Sequence, residues 1–309
     1  MFGLRYHVAS LAAVFVALAV GILLGVAVSG KVTDAGEDFE VQNLRDQNEE
    51  LEQDLEAARA AAEDAAQQGE ASEELLDRAY PALMDGRLDG ENVAVLFLGP
   101  ADGSRRADIQ RTLADAGAGV PARVVALNVP VDGADLDGAL AGDEVLAGYA
   151  GDDGNFSELG RELGRELVEG GETPLWSALE TQLVEEKSGD ASTPVDSAVV
   201  VSTWTPPEDA DGDGASEDEA SASLIEGLVR GLGAAGLPTV GVTASDDHAT
   251  AVDLYLEEGM SSVNDVDVAA GRLALALLLA GAEPGHYGAG DEATDGVVPP
   301  IEPLTFEGE

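Results

Sequence analysis

Three histidines, no cysteine and three methionines, one of them the initiator, bound the chemistry open to this chain of 309 residues. Without cysteine there is no disulfide, no thiolate metal site and no cysteine nucleophile, and too few thioethers remain to assemble a soft-ligand Cu(I) site. His7 stands just before a long apolar run, His248 follows Asp246-Asp247, and His286 lies in Gly285-His-Tyr-Gly288. None has a second histidine at helical ligand spacing. His286 together with Asp265 or Asp267 offers nitrogen and oxygen ligands of the kind Cu(II) accepts, provided the fold joins them. The structural alternative is that Asp265 or Asp267 caps the helix that follows, Arg272 pairs with an acid, and the neighbouring glycines supply turn geometry.

Other motifs are weaker on physical grounds. Gly231-Leu-Gly-Ala-Ala-Gly236 has the GxGxxG spacing, but a dinucleotide site needs it after a strand and opening a helix, whereas here it closes a helix before a strand. Gly99-Pro-Ala-Asp-Gly-Ser104 follows a strand and lacks the lysine of a phosphate loop and the serine of a nucleophile elbow, so a turn with a helix cap explains it. Asp209, Asp211, Asp213 and Gly214 resemble the opening of a calcium loop, yet its twelfth position is Ala220, with Glu219 one residue early. No Ser/His/Asp order stands out, and no carboxylate pair can be singled out among 61 acids, so the chain is expected not to be an enzyme.

Those 61 acids face 15 Lys and Arg, a formal net charge of −46. Nucleic acid is therefore excluded as a partner, since its binding requires a basic patch that releases counterions. An acid-rich, lysine-poor surface also suits a salty medium, in which self-repulsion is screened over a few ångströms.

The elements that would position these residues fall into three parts: a membrane anchor over 1–30, a coiled-coil stalk over 31–80, and an extracytoplasmic α/β domain over 81–309. Val8 to Val28 run 21 residues without a charge, about 31 Å as a helix and enough to cross a bilayer core of about 30 Å. A single pass is expected, with the N-terminus cytoplasmic; a cleaved signal peptide ending near Ala27-Val28-Ser29 is the competing reading. Ala9, Ala13, Ala17, Gly21 and Gly25 recur every four residues, a stripe that lets two helices approach closely. Behind it, Val41, Asn48, Leu55 and Ala62 at position a place Leu44, Leu51, Ala58 and Ala65 at position d. Asn48 is the polar a residue that favours two parallel strands, and Glu40 with Arg45 and Asp54 with Arg59 form attractive interchain pairs. Span and stalk both ask for a parallel homodimer, or a higher oligomer, standing on a lipid bilayer. Leu76 and Ala79 resume the register before Pro81, where the helix is expected to stop.

From Asn92 short apolar runs alternate with helical stretches, which argues a mainly parallel, Rossmann-like sheet. Strands are expected over 93–98, 123–129, 197–203, 238–243 and 260–263, and helices over 104–116, 156–168, 174–186, 222–234, 249–257 and 268–280. Residues 206–221, with seven acids, read as a solvated loop.

Two stretches carry a resemblance. Met1-Phe-Gly-Leu-Arg-Tyr-His-Val-Ala-Ser-Leu-Ala-Ala-Val-Phe15, and Gly259-Met-Ser-Ser-Val-Asn-Asp-Val-Asp267 with Gly271-Arg272 and Gly285-His-Tyr-Gly288, resemble the mycobacterial copper transport protein B (MctB) family of actinobacterial envelope proteins. The order of anchor, stalk and domain is similar too. The resemblance implies a role in keeping cellular copper low, by transport or pore formation, with copper as the metal handled. The lack of soft ligands departs from that expectation, and one helix cannot conduct an ion. From the residues alone, an anchored scaffold or ligand-sensing domain stands beside it.

The excess of negative charge makes thermal stability depend on salt. The unfolding midpoint should rise between about 0.1 M and about 2 M KCl, as the screening length shortens from about 10 Å to a few ångströms. A midpoint that falls across that series, followed by circular dichroism, contradicts it.

Overall fold

Strands that must bury both faces have no room for the usual polar alternation, and the central strands here are apolar at almost every position. The computed structural model describes residues 14–22, 37–144, 146–150, 155–202, 204, 215–243, 254–256, 258–289 and 293–301. The chain divides into two compact units, Met1–Ala71 and Ser72–Glu309.

In the first unit, residues 14–22 are helical, and the long helix α1 (Glu37–Met84) begins. Among the described residues no helix is long and apolar enough to cross a membrane. The rest of the expected span over Val8 to Val28 lies outside them. The side chains of 47–71 are all exposed, Leu51 and Leu55 among them.

The second unit takes in the last turns of α1. Then follow β1 (Val93–Leu98), α2 (Gly103–Asp115), β2 (Arg123–Leu127), α3 (Gly133–Gly142), α4 (Phe156–Glu169), α5 (Pro174–Ala178), α6 (Glu180–Leu183) and β3 (Val184–Gly189). The chain continues through β4 (Ser197–Ser202), α7 (Ala215–Ala234), β5 (Thr239–Val242), β6 (Ser261–Val263), α8 (Ala269–Leu279) and β7 (His286–Tyr287). These strands form one sheet in the order β3-β2-β1-β4-β5-β6-β7, parallel except for β3. The order reverses between β1 and β4, as in a doubly wound fold.

Successive residues of each strand feed opposite layers. Ala94, Leu96, Leu98, Ala198 and Val200 pack beneath α3, α4, α5 and α7. Val93, Val95, Phe97, Val199, Val201 and Val242 pack beneath α2, α8 and the end of α1. That last contact carries α1 past the proline at which it was expected to stop. Pro81 sits inside the helix, which continues to Met84 because Leu76, Tyr80, Leu83 and Met84 dock on the core. The Tyr80 hydroxyl donates to Asp115 Oδ2 at 3.1 Å, and the Arg272 guanidinium lies 5.6 Å from the centre of its ring. Burial pushes the Tyr80 phenol up to about 12, so it stays protonated over the ordinary pH range.

Two further expectations are corrected. The stretch 174–186 breaks into α5 and α6 and then becomes β3, an antiparallel edge strand whose Glu185, Glu186 and Lys187 face solvent. Pairing with β2 satisfies one edge of its backbone, and the charges blunt the other, free edge. The acidic stretch 206–221 is helical from Ala215, with Ala220 and Ser221 buried and the Ser221 hydroxyl accepting from Val131 N at 2.8 Å. Residues 205–214, with the calcium-like aspartates, lie outside the described residues, as do 249–253 of the expected 249–257 helix.

Helices α4 and α7 approach at Gly160, Gly164, Gly227 and Gly231. A methyl group at any of these would fall well inside contact distance of a carbonyl oxygen across the interface: Leu224, Leu228, Ser157 and Arg161 respectively. The GxGxxG segment is thereby explained, because Gly231 serves helix packing and Gly236, at φ +72, ends the turn after α7.

Overpacking this contact should cost about 1–3 kcal/mol for Gly164→Ala or Gly227→Ala. Gly138→Ala, on an α3 position with open space around it, should be neutral or stabilising by up to about 1 kcal/mol. Urea unfolding of the three variants distinguishes a packed contact from ordinary helix propensity; equal effects would refute it.

Candidate functional site

The late motif runs out of β6 and folds back through α8 to β7, so strand pairing brings Ser262 opposite His286 and Val263 opposite Tyr287. Asn264 and Asp265 follow directly beyond the carboxyl end of β6, the place where open parallel sheets hold ligands. The node itself is built from Asn264 and Asp265, both buried. Asn264 N donates to Tyr287 O at 2.9 Å, and Thr243 Oγ1 donates to Asn264 Oδ1 at 3.3 Å. Asp265 has φ +61, a conformation that only glycine, asparagine and aspartate adopt readily. Its Oδ2 accepts from Ala289 N at 2.9 Å, and its carbonyl accepts from Val268 N at 3.0 Å. Two glycines make room for this bend. A methyl at Gly271 would collide with the Asp265 carbonyl, and one at Gly288 would press on Asn264 Cβ from 2.8 Å.

His286 Nδ1 lies 2.9 Å from the buried Ser262 hydroxyl. The neighbouring acid Asp295 accepts through Oδ2 from the His286 main-chain N–H at 2.8 Å. Asp295 N returns a bond to His286 O at 3.1 Å and Gly288 N donates to Gly296 O at 3.0 Å, so a turn covers the outer edge of β7. Tyr287 points the other way. Adjacent strand residues face opposite layers, and Tyr287 sits in the α8-side core with its hydroxyl on Glu283 O at 3.1 Å. Burial, then the charges of Glu283 and Asp295, raise its phenol above the usual range.

The sequence-derived ligand set is therefore placed as follows. Asp265 is buried and holds a backbone N–H; His286 is partly buried and meets Ser262; Asp267 is exposed, and its carbonyl accepts from Arg272 Nη1 at 2.6 Å. The Tyr287 phenol faces away from them. Among the described residues no group of three or more His, Cys, Asp or Glu is arranged to hold a metal ion. The helix-cap alternative is corrected as well, since the N-cap of α8 is Val268, without a side-chain cap bond. Sequence reasoning missed the Ser262–His286 bond, for which strand register is the only signal.

The loop after β1 behaves as its residues indicate. Asp102 Oδ1 accepts from Ser104 N at 3.0 Å and Arg105 N at 2.9 Å, which caps α2. These bonds, the Ser104 hydroxyl foremost, hold the Asp102 carboxyl below the usual range. Nearby, Arg106 meets Glu186 of β3 through two nitrogens at 2.9 and 2.8 Å. Arg123 is buried. Its guanidinium donates to the carbonyls of Leu167 and Ala191, with Thr193 O at 3.2 Å and Glu166 O at 3.3 Å. It thus closes the carboxyl end of α4, where a positive charge complements the helix dipole. Burial pulls its pKa below the usual arginine value.

A family model described as copper transport outer membrane protein, MctB, matches residues 1–299. No curated protein matches the chain.

Asp265→Asn should leave stability nearly unchanged, because an amide oxygen can still accept from Ala289 N and asparagine tolerates the same φ. Asp265→Ala should lose about 1–3 kcal/mol, through an unsatisfied buried N–H and backbone strain. Chemical denaturation of both variants checks this, and an alanine as stable as the parent removes the node's structural role.

Proposed function

The chain belongs to the MctB family of copper transport outer membrane proteins, and we propose that it acts in the cell envelope to keep cellular copper low, by moving the ion or by contributing to a pore. The observation that carries this reading is the extent of the family match, residues 1–299, which takes in the N-terminal apolar run and the heptad stretch as well as the α/β unit. In this reading the apolar residues of 1–30 are retained as a single-pass anchor, and everything after Gly30 is extracytoplasmic. The heptads at 41–65 pair two chains in parallel, with Asp54 opposite Arg59 of the second copy. Oligomerisation follows from the chemistry, since a lone helix offers no aqueous path and lipid-exposed irregular backbone cannot line one. Copper is cargo here, and no catalytic role is assigned to the chain.

One observation favours a second reading, a membrane-anchored scaffold or ligand-sensing domain without transport. The carboxylate of Asp265 and the imidazole of His286, the best oxygen and nitrogen donors of the late motif, already hold Ala289 N and Ser262 Oγ. Deleting the gene and measuring cell-associated copper separates the two. Copper content and copper sensitivity should both rise; unchanged values of both leave the scaffold. Cu(II) titration of the full chain against its His286→Ala variant is the companion measurement, and equal affinity takes His286 out of any ligand set.

A further inference from the structure

A helix that projects an apolar stripe for several heptads needs a partner, but α1 does not keep the same partner along its whole length. Up to Ala71 its side chains from residue 47 are exposed, with Leu51 at 60% and Leu55 at 50%. After that the same helix turns Leu76, Tyr80, Leu83 and Met84 into the core formed with Leu113 and Leu273. Their spacing of four, three and one residues is a single helix face. In the heptad register Leu76 is the next apolar a residue after Ala62, so the side chain that would continue an interchain seam is spent on the chain's own domain.

The stretch between is built to match. Continuing the register puts Gly69 at a and Ser72 at d, two successive seam positions with no apolar side chain. Among the described residues nothing requires a glycine there: a methyl on Gly69 would meet no atom within 4 Å. Glycine in a helix interior is less favourable than alanine, and no contact among the described residues offsets it. The second half of the helix is then fixed by the Tyr80–Asp115 hydrogen bond and by Arg272 over the Tyr80 ring.

We propose that the paired stalk ends at Gly69: two chains are joined through the seam from Val41 to Ala65, and beyond it each helix is clamped by its own domain. The inference rests on the parallel-dimer reading given above, with a second copy of this chain as the partner, selected by the Asp54–Arg59 charge complementarity and the a/d stripe. Any mismatch between the paired segment and the clamped one falls on Gly69 and Ser72, where no apolar contact resists it.

The chain has no cysteine, so one introduced thiol is the sole reactive group. Asn48→Cys, Leu55→Cys, Leu76→Cys and Ala79→Cys, each in the full chain in membranes, are treated with a short bismaleimide. The dimer band is expected at 48 and 55 and lost at 76 and 79. Ala79 is at a seam position and is not part of the core, so it keeps the test sound where Leu76→Cys loosens the fold. Comparable dimer yield at 79 and 55 overturns the end point while leaving the dimer. Absence of dimer at all four positions overturns the dimer reading, and the inference with it.

Discussion

Val93, Val95, Phe97, Val199 and Val201 bury one face of the sheet while Ala94, Leu96, Leu98, Ala198 and Val200 bury the other, and both layers of helices are obligatory for that reason. Fully burying a side chain of this size is worth about 1.5–3 kcal/mol, so neither layer can be dispensed with. On one side the cover is α3, α4, α5 and α7, where four glycines let two helices lie close enough to share the space above β1 and β4. On the other it is α2, α8 and the last turns of α1. Those last turns belong to the domain because the sheet needs them.

A second constraint runs through the same structure. With 61 acids against 15 basic residues, few carboxylates can find a cationic partner. Many are put to work on backbone N–H groups instead. Asp102 and Asp132 cap α2 and α3, Asp196 accepts from Asn92 N, and Asp190 accepts from Ser192 N. Glu166 accepts from Leu175 N and Trp176 N across the turn between α4 and α5. Asp265 and Asp295 do the same for Ala289 and His286. A carboxylate that accepts from donors gains more than a neutral acceptor would, and the bond survives in high salt better than an exposed ion pair does. Three basic residues tie elements together, Arg123 on carbonyls at the end of α4, Arg106 on edge strand β3 and Arg272 on the end of α1. Arg78, Arg111, Arg161, Arg165 and Arg230 instead pair with carboxylates a turn away on their own helices.

Local pattern and tertiary context divide what was legible in the sequence. Apolar runs such as 93–98 and 197–202 show their strands directly, and Phe156 to Val168 shows its helix through the spacing of Leu159, Leu163 and Leu167. Val184 to Gly189 is different, because nothing in VEEKSG outweighs the helical pattern before it; its strand exists only by pairing with β2. Residues 215–221 look like solvated loop by composition, yet Ser221 and Ala220 are drawn under cover by the loop that enters α3. The glycines of α4 and α7 were visible as Gly160, Gly164, Gly227 and Gly231 at i,i+4 spacing, but only the pairing of the two helices gives that spacing a meaning. At the candidate site, the proximity of Asp265 to β7 followed from topology, whereas the fate of His286 and Tyr287 depended on strand alternation, which sends the imidazole and the phenol to opposite layers.

That alternation bears on how a copper-handling role fits this chain. A resident metal centre needs several donors converging from one side, with their protons and hydrogen bonds free to yield. At the C-terminal edge of the sheet the donors are already engaged: Asp265 with an amide, Asn264 with Thr243, His286 with Ser262 and Tyr287 with a carbonyl. Displacing any of them by an ion would give up a buried hydrogen bond and open the node that holds β6 to β7. A transported ion makes the opposite demand, since conduction requires sites that bind weakly and exchange quickly. Among the described residues no group of three or more His, Cys, Asp or Glu is arranged to hold a metal ion, and at this edge an ion would have to displace the hydrogen bonds that hold β6 to β7.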